Sequence, residues 1–130
     1  MHAIAKVKEK LAPYPHIRYS ETSRSIEVQP KDESGFAVGL HINANGFTVH
    51  FDGWHEEFTS EDEAASCFVF GLSDVCRLAV TYRGSIPTRW VVEARQGDAW
   101  MPDSETGVLL FPFWRRKRVV YRRNHVLPGT

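Results

Sequence analysis

The chain has 130 residues, a formal net charge of zero from 16 Lys and Arg against 16 Asp and Glu, and 42% hydrophobic residues, which is the make-up of one soluble globular domain with its own core. No apolar run approaches the roughly eighteen residues that a membrane helix requires, and two cysteines do not make a disulfide framework or a zinc knuckle. The opening Met1-His2-Ala3-Ile4-Ala5-Lys6 is charged and amphipathic, without the apolar stretch of a secretory signal. A cytoplasmic protein is expected.

Ala3 to Ala12 reads as a short helix, since Ile4, Val7 and Leu11 fall on one face and Pro13 and Pro15 follow. Ile17 with Tyr19 predicts a brief edge strand, Ser20–Ser23 a turn, and Ile26 with Val28 a second short strand closed by Pro30. A polar turn at residues 31–35 then leads into a hairpin. Phe36, Val38, Leu40 and Ile42 alternate with smaller or polar residues, and Phe47, Val49 and Phe51 do so again after Asn45-Gly46. Period two marks a half-buried strand, and Asn-Gly suits a type I′ turn, in which both central residues have positive φ. With Asn45 and Gly46 as the two turn residues, Ile42 faces Val49, Leu40 faces Phe51, His41 faces His50 and Gly39 faces Asp52. The segment from Gly53 to Thr59 is expected to be an aromatic turn.

Ser60-Glu61-Asp62-Glu63 matches a capping box and opens the main helix. Ala64 to Leu72 is apolar nearly all round, so this helix is expected to be buried on two sides. After a break at Ser73-Asp74, Cys76 to Arg83 alternates as a strand, with a continuing helix through Val75 and Ala79 as the competing reading. Arg89–Arg95 and Ala99–Met101 follow as strands, the latter stopped by Pro102. Asp103–Gly107 is read as a turn, Val108–Phe111 and Lys117–Arg123 as strands, and Asn124–Thr130 as a frayed tail. The whole predicts a single α+β domain over residues 1–130, with a largely antiparallel sheet of six or seven strands and two helices on one face, in the order α-β-β-β-α-β-β-β-β.

Three groups of residues carry candidate chemistry. His41, His50 and Asp52, with His55 and Glu56 beside them, could hold zinc or a similar divalent ion, or act as an acid–base pair near neutral pH. The competing reading is a polar outer sheet face. Trp54, in the expected turn, lines a ligand pocket or folds over the core as a lid. Trp114, Arg115, Arg116, Lys117 and Arg118 combine a ring with cations, a pattern that suits nucleic acid. The acids elsewhere cancel that charge, which weighs against nucleic acid. Asp52 to Glu63 carries six acids and no base, while Arg115 to Arg123 carries six bases and no acid. Cys67 and Cys76 read as small buried hydrophobes, not nucleophiles. No G-x-S-x-G, H-E-x-x-H, C-x-x-C or glycine-rich phosphate loop is present.

The leading expectation is therefore a binding or interaction domain without catalysis. It would take a small ligand or a partner subunit at the sheet face and Trp54, as a homo-oligomer, with no membrane and no bound cofactor.

Overall fold

Two helices and nine strands make up residues 3–108, 110–124 and 127, the part of the chain that the computed structural model describes. Helix α1, Ala3–Leu11, buries Ala3, Ile4, Val7 and Leu11 as one stripe. It ends where Tyr14 N bonds Leu11 O ahead of Pro15. Strands β1 (Ser20–Glu21), β2 (Ser25–Val28), β3 (Val38–Asn43), β4 (Gly46–Phe51) and β5 (Trp54–Phe58) form an antiparallel sheet in chain order. Helix α2, Glu61–Leu72, crosses the inner face of that sheet and carries α1 on its far side. Ser60 caps it, its hydroxyl accepting from Glu63 N at 3.2 Å. An apolar circumference thus has a partner on both sides.

Strands β6 (Cys76–Arg83), β7 (Ile86–Gln96), β8 (Ala99–Gly107) and β9 (Lys117–Arg122) form a second antiparallel sheet, in the order β8-β7-β6-β9. Residues 76–83 are a strand, so the helical alternative falls. The α+β class, the antiparallel pairing and the two helices match the sequence reading. The single sheet of six or seven strands does not: there are nine strands in two sheets. Both sheets feed one core, in which Leu40, Val49, Phe51 and Trp54 meet Phe68, Leu78, Val80 and Val92.

Several local expectations are corrected. Residues 17–19 are not a strand; β1 begins at Ser20, where a turn was expected. The aromatic segment after the hairpin is strand β5, because Asp52-Gly53 makes the reversal, with Asp52 at φ 55°. Strand β8 runs through Pro102 to Gly107. It tolerates the proline because it is a sheet edge and is bulged there: Glu93 pairs with Pro102 and Val92 with Ser104, leaving Asp103 as the extra residue. Residues 108, 110 and 111 are not strand, and Leu109 lies outside the described residues.

The tail also departs from expectation. Asn124 is buried, accepts from Phe36 N at 2.9 Å and donates to Gly71 O at 2.9 Å. Leu127, also buried, bridges Ser73, its amide donating to Leu72 O. The remaining tail positions, 125, 126 and 128–130, lie outside the described residues.

Candidate functional site

The hairpin turns one residue before where Asn45-Gly46 points, which shifts every cross-strand partner by two. Asn43 pairs with Gly46, so Ala44 and Asn45 are the loop, and no residue of it has positive φ. His41 consequently faces Thr48, and His50 faces Gly39. A slip of two residues keeps every side chain on its predicted face while changing each partner. Val38, Leu40, Val49 and Phe51 are buried as expected, but the predicted pairing of His41 with His50 is absent.

His50 instead lies opposite His55 of β5 and stands over Gly39, where a Cβ would come within 2.0 Å of its Nε2. That ring reaches toward Glu27 on β2, Nε2 to Oε2 being 3.9 Å. The outer face of the first sheet thus carries a row of Glu27, Gly39, His50 and His55, with exposed His41 one step along. Glu57 accepts from Thr48 Oγ1 at 2.8 Å and from Asn43 Nδ2 at 3.3 Å on the same face. Asp52 does not join them. Its carboxylate accepts from Trp90 Nε1 at 3.0 Å, and the same indole covers Gly53, fastening the β4–β5 turn to the second sheet. Glu56 pairs with Val49 on the opposite face from His55 and accepts from Ser104 Oγ at 3.3 Å. Among the described residues, no group of three or more His, Cys, Asp or Glu side chains is placed to hold a metal ion.

Trp54 is 2% exposed, stacked 4.6 Å from Phe51, with its indole N–H donating to Ser104 Oγ at 3.1 Å. It seals the junction of the two sheets and does not line an open pocket. Cys67 and Cys76 are unpaired thiols. Burial pushes the Cys67 thiol up to about 12 and that of Cys76 higher still, so neither supplies a thiolate near neutral pH.

The other charged surface is exposed. Between β8 and β9 the chain forms a protruding loop in which Leu110 is 90% exposed, Phe113 70% and Trp114 73%. Arg115, Arg116, Lys117 and Arg118 follow directly, all exposed, and among the described residues none of them makes a salt bridge. The loop is held by its own backbone: Phe113 N bonds Phe111 O at 2.8 Å and Arg115 N bonds Pro112 O at 3.0 Å. The base of the loop is tied down by Gly84 N bonding Arg116 O at 2.8 Å and by Arg83 Nη1 donating to Phe113 O at 3.4 Å.

Sequence reasoning missed one further cluster. On the outer face of the second sheet, the guanidinium of Arg77 lies 4.7 Å from the Trp100 ring and 4.1 Å from the Tyr121 ring. Arg123 and Arg95 approach Trp100 at 4.9 and 5.9 Å. Arg77 is paired with Glu93, and Arg123 donates to Asp74 O at 2.6 Å. The Gln96-Gly97-Asp98 turn makes Arg95 and Trp100 neighbours across β7 and β8, which the sequence does display. That β6 sits between β7 and β9, bringing Arg77 and Tyr121 to the same ring, is a fact of topology alone.

Comparison with family models, with curated proteins and with solved structures finds no match to this chain.

Proposed function

We propose that this chain is a binding domain without a reaction of its own, and that its contact surface is the Leu110–Trp114 loop with the cations of β9. The observation that carries this reading is a run of four consecutive exposed cations, Arg115 to Arg118, none of them ion-paired among the described residues, beside three exposed apolar side chains. Elsewhere some long cations are tied, Arg77 to Glu93, Arg89 to Glu105, Lys6 to Asp62 and Lys8 to Glu21, and exposed cations without an ion pair among the described residues, such as Lys10, Arg18, Arg24 and Lys31, stand apart from one another in the chain. Unneutralised charge of one sign focuses attraction on a partner of the other sign, whatever the net charge of the chain. The partner is therefore anionic.

Immobilised heparin, a generic polyanion, tests this. The protein is expected to be retained at low salt despite its zero net charge and to elute as salt rises. Arg115→Glu/Arg116→Glu should pass straight through, whereas Lys10→Glu, on the exposed side of α1, should elute like the parent protein. Passage of the parent protein at low salt sinks the reading.

Two expectations accompany it. Two unpaired thiols suit the cytoplasm, and pairing of two copies would double the cationic surface, which light scattering reads directly. A second reading, acid–base chemistry on the outer face of the first sheet, has one observation in its favour. His50 and His55 are directly paired, with Glu27 3.9 Å from His50. Hydrolysis of a simple activated ester tests it: the rate should fall in both His50→Ala and His55→Ala, and equal rates in the parent protein and the two variants sink it.

A further inference from the structure

We infer that the anionic partner is a phospholipid bilayer, and that the loop between β8 and β9 wedges Leu110, Phe113 and Trp114 into its interface while Arg115 to Arg118 lie among the headgroups. The inference rests on the reading above and narrows it to one partner.

Three features of the loop favour a bilayer over a polynucleotide. The first is the kind of apolar surface exposed. Leu110, at 90%, is the most exposed large apolar side chain among the described residues, and Val108 is 46% exposed. Aliphatic side chains have no ring face on which a base can stack, whereas the hydrocarbon boundary of a membrane accepts Leu, Phe and Trp alike. The second is the order along the chain. Apolar residues form the tip, and four cations follow without interruption on its strand-side flank, with no acid from Val108 to the last residue. That is the layering of a bilayer interface, apolar inside and cationic at the anionic surface.

The third is the shape of the tip. Phe113 N and Arg115 N bond within the loop and Phe113 O accepts from Arg83, which holds the turn around Pro112. The Phe113 and Trp114 rings meet edge to face at 5.4 Å and 83°, so the tip is a preformed wedge. Arg and Lys stems are long enough to lie along the apolar layer with their charges in the headgroups.

Vesicle co-sedimentation and fluorescence quenching test the inference. The protein is expected to sediment with phosphatidylcholine–phosphatidylserine vesicles and not with phosphatidylcholine alone. Acyl chains brominated near the interface should quench its tryptophan emission. Trp114→Phe should still bind yet lose most of that quenching, because Trp54 is buried, Trp90 covers Gly53 and Trp100 lies against Arg77, away from the loop tip. Leu110→Ser/Phe113→Ser should lower retention at raised salt, and Arg115→Glu/Arg116→Glu should weaken binding by at least about thirtyfold, the loss of two cations alone. All these side chains are exposed, so thermal melts of the variants should match the parent protein.

Binding to vesicles without quenching overturns the inference, since the loop then adsorbs by charge alone. Binding to a single-stranded oligonucleotide through the same residues, with none to vesicles, also overturns it and leaves the heparin result standing. Loss of both heparin and vesicle binding removes the inference together with the reading beneath it.

Discussion

Asp52 is the only described residue other than glycine with positive φ, and its carboxylate is spent on the Trp90 indole. Replacing it tests both roles. Asp52→Asn keeps an acceptor and tolerates the left-handed region, so it should cost little. Asp52→Ala loses the acceptor and keeps the strain, and should destabilise by about 1–3 kcal/mol in chemical denaturation. A close approach governs a second position, Gly71, where a Cβ would stand 2.4 Å from Cε1 of the fully buried Phe51. Gly71→Ala is therefore expected to cost about 1–3 kcal/mol by overpacking. Gly39→Ala, by contrast, meets first the movable ring of half-exposed His50. It should leave the melting temperature nearly unchanged while shifting the His50 NMR signals. At this scale the sequence was a partial guide. It gave the face of His50 correctly from alternation, but not its neighbour, because the pairing register depended on which two residues turned.

Elements show the same division. The cap of α2 was legible because Ser60 and Glu63 stand three apart, and Ser60→Ala is expected to cost about 1 kcal/mol. Docking of α1 on α2 adds the pair Lys6–Asp62, whose effect has a definite sign with pH. The hydrogen bond from Lys6, and then its charge, hold the Asp62 carboxyl below its ordinary 3.8. The same contact raises the Lys6 ammonium above 10.5. The stabilisation from Asp62 is thus present above pH 3.8 and is lost as pH falls through its lower folded value. That from Lys6 is present below 10.5 and is lost as pH rises through its raised value. Asp62→Asn should be slightly less stable than the parent protein at pH 7 and equal to it well below pH 3.8. Both groups face solvent, so the difference is small and should shrink further in high salt. Strand β5 was hidden because Trp54-His55-Glu56-Glu57-Phe58 has acids at its centre and little alternation. Its pairing with β4 makes it a strand, not its own composition.

On the scale of the molecule, composition and alternation were enough for the α+β class, the antiparallel pairing and the buried second helix. Two sheets instead of one could not be read from period two, which says which side of a strand is apolar and nothing about which strands share a ladder. The candidate site divided in the same way. The cationic run and its tryptophan were visible residue by residue, but their exposure depended on β9 lying at the edge of its sheet. Trp54 was visible as an aromatic, and the second sheet decided that it is sealed in. Since Trp54 and Trp90 each hydrogen-bond across the junction of the sheets, heating should unfold the chain in one cooperative transition, with calorimetric and van't Hoff enthalpies equal. Two resolved transitions would mean that the sheets are independent units.

The bonds of Asn124 span 88 and 53 positions of sequence, to Phe36 and to Gly71. On the ribosome, the first sheet can pair its strands early, but its approach loop and the end of its covering helix wait for a side chain made 53 positions after Gly71. A nascent chain halted before that asparagine emerges should stay open to protease near Phe36 and Gly71, closing only once Asn124 has left the exit tunnel.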